Sequence, residues 1–293
     1  ISGEPVRKAI ASGELSMEEL NQSVLRLLKM IDKSTQGKKA NQDMVQLQQH
    51  TDEIAYKAAC EGIVLLENDG ILPLKADTVN FEGTGKDKLL ECGTGSAGIT
   101  TNRVGDLKKC MEEYVTISET EADCTIFIAT NNGMEGNDRK DMHMDKKDLQ
   151  MLYELGGLSK ENMPLTLRKE ICKEAMVISK AQKPVILVLN VCGPVDLSYL
   201  NLKVVKAVVC IFLPGMGGAK ALCHTLIGKV NPSGKLPVTF PLHYEDSSAY
   251  LNFPGDGYEV NYGEGIYVGY RYFEKKKCKP LYPFGFGLSY TTF

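Results

Sequence analysis

The sequence predicts an α/β fold in which a mainly parallel sheet is sandwiched between helices. Three observations carry that expectation. Five short apolar runs rich in β-branched residues recur along the chain, the pattern of strands covered on both faces. Helical patterns lie between the later runs, and strand–helix alternation builds parallel sheets with helices on both sides. The runs are punctuated by turn formers such as Asn68-Asp69-Gly70.

The first segment, "EPVRKAIASGELSMEELNQSVLRLLKMI", is helical in pattern. Ser16 is placed as an N-cap with Glu19 three residues on, a capping box. Leu20, Val24, Leu27 and Leu28 then form one apolar stripe. "DKSTQGKKANQD" is a polar linker, and "MVQLQQHTDEIAYKAACEG" a second helix. The period then changes. "GIVLLEN", "TVNFEG", "CTIFIAT", "KPVILVLN" and "VVKAVVCIFL" are the expected strands. "KKDLQMLYEL", "LRKEICKEAMVISKAQ" and "GMGGAKALCHTLIG" are the helices between and after them. From Asn231 the chain is loop-rich.

Composition narrows the function. The 293 residues are 43% hydrophobic and 24% charged, an ordinary globular balance. A net charge of −3 gives no reason to expect nucleic acid. No apolar run is long enough for a membrane span, and no signal peptide is read. The nine cysteines are odd in number and form no C-x-x-C pair. They are expected as free thiols of a reducing, cytoplasmic compartment, with no metal site and no cofactor.

Ligands of such sheets bind beyond the carboxyl ends of the strands. The loop after "CTIFIAT" carries "GMEGNDR", in which Glu135 stands among small residues, and "NVCGPVD" and "LPGMGG" follow the next two strands. Glu135 is therefore a candidate acid, although charge-rich loops are usually solvated and Asp138–Arg139 could form a structural ion pair. "GTGSAG", Gly93 to Gly98, matches G-x-G-x-x-G, but "ITTNRVGD" after it is a poor helix start, which argues against a dinucleotide site. "NPSGK" lacks the spacing of a phosphate loop and reads as a turn. His224 sits on an apolar helix and reads as a packed histidine. No G-x-S-x-G elbow supports a Ser-His-Asp triad.

Taken end to end, the chain resembles glycoside hydrolase family 3, the β-glucosidase-type family. "AACEGIVLLENDGILPL" is similar to that family's entry into its second domain, and "GTGSAG" falls where the family has a glycine-rich loop near its active site. "GMEGNDR" resembles its E-G-x-D-R stretch. "LPGMGGAKALCHTLIGKVNPSGKLPVTFP" and "YGEGIYVGYRYFEKKKCKPLYPFGFGLSYTTF" are close to family patterns.

The resemblance implies residues 1–40 as a remnant of a (β/α) barrel domain plus linker, and 41–293 as the α/β sandwich. It implies a retaining β-glycosidase, a β-glucosidase acting on terminal non-reducing β-linked sugars, in which two carboxylates flank the bond. Glu135 matches the acid/base. The aspartate nucleophile belongs to the barrel, which this chain lacks, so the chain alone is expected to be inactive. Gly93, Thr94, Gly95, Ser96 and Met134 are the expected substrate-binding residues. A β-glucoside or related oligosaccharide, the missing barrel and, through the apolar face left uncovered, a second copy of the chain are the expected partners. A solvated Glu135 should titrate like an ordinary glutamate, near about 4.3. The alternative is a non-catalytic carbohydrate-binding or scaffolding module with the same fold.

Overall fold

The computed structural model describes residues 3–36, 43–99, 103–133, 135–174 and 183–291. The chain divides into two compact units, Ile1–Gln49 and His50–Phe293.

The first unit is helical. Helix α1, Glu4–Ser12, begins with a proline in its first turn and ends on Gly13 in the left-handed region at φ 77°. Helix α2, Met17–Gln36, starts at the expected capping box. Ser16 N donates to Glu19 Oε2 at 2.9 Å, and Glu19 N donates to Ser16 Oγ at 3.2 Å. The linker expectation is corrected in part, because Asp32–Gln36 continue this helix and only residues 37–42 lie outside the described residues. Val24, Leu25, Leu27, Leu28, Met30 and Ile31 are all exposed along α2. Helix α3, Met44–Gly62, leads into the second unit.

The second unit is built on a six-stranded sheet. Its strands are β1 Val64–Asn68, β2 Thr78–Glu82, β3 Thr116–Ile117, β4 Cys124–Asn131, β5 Val185–Val191 and β6 Val205–Cys210. They lie in the order β1-β6-β5-β4-β2-β3. Every pairing is parallel except β1 with β6. The two-residue β3 is too short to carry a period and is absent from the sequence expectation.

The alternation of side chains explains the layers. On β4, Phe127 and Ala129 join a core with Leu187, Leu189 and Val208, covered by Leu149 and Leu152 of helix α5 (Lys146–Glu154) and Ile171 of helix α6 (Leu165–Glu174). Ile126 and Ile128 point the other way. They pack with Ile186, Val188 and Val209 under α3, helix α4 (Leu107–Glu112) and helix α7 (Gly218–Leu226). A strand that buries both faces reads as a continuous apolar run, which is why β4 and β5 are legible. Of the helix expected over 167–182, residues 175–182 lie outside the described residues.

The loop-rich end is tied back onto the sheet. Asn231 Oδ1 accepts from Ser289 Oγ at 3.0 Å and Tyr290 N at 2.8 Å, and Tyr282 Oη donates to Glu67 at 2.8 Å. One short helix in it, α8 Tyr270–Lys276, lies outside the sequence expectation. Among the described residues no helix is long and apolar enough to cross a membrane.

Candidate functional site

Strands β2, β4, β5 and β6 are mutually parallel, so the loops that follow them rise from one edge. Two buried polar side chains fix those loops. Asn190, the sixth residue of β5, is fully buried. Its Oδ1 accepts from Leu90 N at 2.6 Å, and its Nδ2 donates to Leu90 O at 3.0 Å and Phe212 O at 2.6 Å. One amide thus anchors both the stretch leading to Gly93 and the end of β6. A buried polar group is tolerated because every hydrogen-bonding atom finds a partner.

Asp148, in the first turn of α5, does the same for β2 and β4. Its carboxylate accepts from Thr84 N and Thr84 Oγ1, both at 2.7 Å, and from Thr130 N at 3.0 Å. Burial raises it from 3.8 to about 6, against these three donors, which favour the charged form.

Above these anchors the glycine loop meets the Glu135 loop. Thr94 N donates to Gly133 O at 3.5 Å. Ser96 N donates to Glu135 Oε2 at 2.8 Å, and Ser96 Oγ donates to the same oxygen. Gly95 makes the approach possible. It sits at φ 79°, and a Cβ there would lie 2.9 Å from both Cβ and Oε2 of Glu135. Gly133 is equally tight against Cys192, whose Cβ and Sγ would be 3.0 Å from an added methyl.

The Glu135 loop is also tied to the loop after β5. Arg139 Nη1 donates to Pro194 O at 3.0 Å, and Asp196 N donates to Met142 O at 2.7 Å. Farther along, Asn131 Nδ2 donates to His143 O at 3.1 Å. Arg139 is thus held by a backbone carbonyl.

Glu135 is exposed, and the Ser96 hydroxyl, then the Ser96 amide, hold its carboxyl below the usual glutamate range. The expectation of ordinary titration is therefore corrected. Two donors on one oxygen stabilise the charged form, and desolvation is too weak at the surface to oppose them. Of the expected substrate-binding residues, Gly93, Thr94, Gly95 and Ser96 come together with Glu135, whereas Met134 lies outside the described residues. Ser96 contacts the acid itself.

His224 is half-buried, with Nδ1 2.7 Å from Tyr56 Oη and its ring edge-on to Tyr56 and Tyr114. Burial lowers its pKa, as a packed histidine requires. Among the described residues, no group of three or more His, Cys, Asp or Glu side chains has the arrangement of a metal site.

The edge thus presents Glu135, fixed by a glycine loop and open to solvent. Such a group can accept or deliver a proton to something bound from outside.

Residues 63–290 match the glycosyl hydrolase family 3 C-terminal domain. The chain is 35% identical over 308 aligned positions to thermostable beta-glucosidase B of Acetivibrio thermocellus, which covers all of this chain and 40% of that protein. It is 28% identical over 302 positions to an exo-alpha-(1->6)-L-arabinopyranosidase of Bifidobacterium longum, covering 97% of this chain and 39% of that protein. Beta-glucosidase 3B of Thermotoga neapolitana, solved with glucose, superposes with a TM-score of 0.71 at 27% identity, over 99% of this chain and 45% of that one. The chain therefore spans less than half the length of each of these relatives.

Proposed function

The chain belongs to glycosyl hydrolase family 3, and from that premise we propose that it is the acid/base half of a retaining β-glycosidase, a β-glucosidase in type. Glu135 protonates the departing glycosidic oxygen and then activates water. The partner carboxylate attacks the anomeric carbon from a barrel domain outside these residues. Retention requires the two carboxyls about 5–5.5 Å apart, so the pair forms only when the domains dock. The single observation that carries this reading is the position of Glu135. It lies on the loop after β4, at the carboxyl edge, and is held by Ser96 of the glycine loop. A loop there can offer one carboxylate across an interface.

An acid catalyst must hold its proton when substrate arrives, whereas Ser96 favours the ionised form of Glu135. Docking supplies what is missing. A closed site and a negatively charged nucleophile both raise a carboxyl's pKa. The names of the relatives include both a β-glucosidase and an arabinopyranosidase, so the sugar is proposed only as a terminal, neutral pyranose.

The test is the chain by itself with nitrophenyl β-glucoside. The expected outcome is no nitrophenol release above background, because protonation without a nucleophile does not cleave the bond. Turnover lost on Glu135→Gln would mean that the nucleophile lies within these residues.

A further inference from the structure

Strand β4 is held to its last residue. Asn131 pairs with Val191, its carbonyl accepts from Cys192 N at 3.1 Å, and its side chain donates to His143 O. Beyond it the hold stops. Asn132 lies outside the strand and is exposed. No hydrogen bond among the described residues takes its side-chain amide or the Gly133 N–H. The Gly133 carbonyl accepts from Thr94 N at a long 3.5 Å.

Asn132–Gly133 is also the single Asn–Gly pair in the sequence. That pairing has a chemistry of its own. The side-chain carbonyl of an asparagine can be attacked by the backbone nitrogen of the residue after it, which makes asparagine thermolabile. A side chain on that next residue crowds the nitrogen, and glycine has none. Asn137 is exposed in the same loop but is followed by Asp138, which carries a Cβ.

We propose that Asn132–Gly133 is a site of spontaneous deamidation, and that its isoaspartyl product releases Glu135 from Ser96. The Gly133 nitrogen bonds to Asn132 Cγ and gives up its proton. The Cγ–Nδ2 bond breaks and ammonia leaves, closing a succinimide ring. Water then opens the ring at either carbonyl. One opening leaves aspartate. The other routes the main chain through the former side chain and leaves isoaspartate, with an extra carbon in the backbone. Each product adds a negative charge, and water is the only co-reactant.

The extra carbon falls where the chain has no slack. A Cβ on Gly133 would lie 3.0 Å from both Cβ and Sγ of Cys192. Gly133 also supplies the carbonyl that joins this loop to Thr94, two residues before Ser96. Lengthening the main chain at Asn132 moves Gly133 against both neighbours and carries Glu135 out of register with Ser96. The modification is independent of the hydrolase reading. Only its consequence, a slow and irreversible loss of the acid/base, rests on that reading.

The experiment ages the 293-residue chain in warm neutral buffer. Peptide mapping by mass spectrometry follows each asparagine, and NMR follows the Ser96 amide resonance. The same chain unfolded in urea is the reference. Asn132 should be lost, with isoaspartate the larger product, while Asn137 stays intact. The Ser96 resonance should shift as Asn132 is lost. Asn132→Gln, whose longer side chain closes a less favourable ring, should abolish both changes. Freshly made Asn132→Asp adds the charge without the extra carbon and should leave the Ser96 resonance near its starting position. The proposal is overturned if Asn132 survives in the folded chain while the unfolded chain converts, or if Asn137 converts as fast. Conversion with an unmoved Ser96 resonance, or an equal shift in Asn132→Asp, would overturn the release of Glu135. No readout here uses turnover, so an idle Glu135 in the whole enzyme would sink the hydrolase reading and leave the modification standing.

Discussion

Two carboxylates at the same sheet edge are pushed in opposite directions. Glu135 is exposed, and two donors from Ser96 hold it below the usual range. Asp148 is fully buried and has three donors, yet stands raised at about 6. Donor number alone would order them the other way. Solvent decides, because burial penalises charge more than a few hydrogen bonds restore. Asp148 serves structure by fixing the ends of β2 and β4, whereas Glu135 is free to be retuned by whatever closes over it.

The largest expected effect that could break this comparison is the pH dependence of stability. The folded chain keeps a proton on Asp148 up to about pH 6, whereas an unfolded aspartate loses it near 3.8. Between those values the unfolded state binds fewer protons, so stability falls as pH rises. The loss attributable to Asp148 is on the order of 3 kcal/mol across that window. It is complete above pH 6 and absent below 3.8. Urea denaturation from pH 3.5 to about 7, run on the native chain and on Asp148→Asn, isolates it. An unchanged slope in the variant would show that Asp148 is ionised throughout.

A smaller effect comes from truncation. Asp148→Ala strands Thr84 N, while Thr130 N keeps Thr84 Oγ1 at 3.2 Å, and should cost about 2 kcal/mol at neutral pH. Glu135→Ala at the surface should change stability by less than about 0.5 kcal/mol. Equal losses would erase the distinction between the anchor and the free acid.

The smallest effect sharpens the Glu135 side. Ser96→Ala removes the first of the two donors that hold the carboxyl down, so the Glu135 pKa should rise toward the ordinary value while its amide bond remains. A carboxyl-detected NMR titration reads this directly. No movement would assign the depression to some other group.

How much of this is legible in the sequence follows from the range of each interaction. Strands β4 and β5 announce themselves because both faces are buried, and every residue of β5 is apolar but one. The Ser16–Glu19 box is local and is found where its spacing places it. Glu135 is singled out as a candidate by its motif and by its place after a central strand. Asn190 interrupts an apolar run, which hints at a buried polar role. Nothing local reveals that its partners are Leu90 and Phe212. Asp148 looks like an ordinary helix-start acid. Its burial is a property of distant segments, so only the assembled fold exposes it. The same holds for Ser96, whose hydroxyl reaches Glu135 through a glycine turn that spacing alone does not specify.

The central claim is that Glu135 is the acid/base, and it is tested most directly on Glu135→Ala in the enzyme carrying its barrel domain. Leaving-group dependence and azide rescue are measured together on that variant. Substrates with poor leaving groups should slow by about 10²–10⁴-fold, and activated aryl glycosides, which need little protonation at departure, should slow much less. Azide should restore part of the turnover by taking the place of the water that the base activates. If every substrate slowed equally and azide did nothing, Glu135 would be a structural residue and the acid/base would lie elsewhere, with Asp138 and Asp141 next in line.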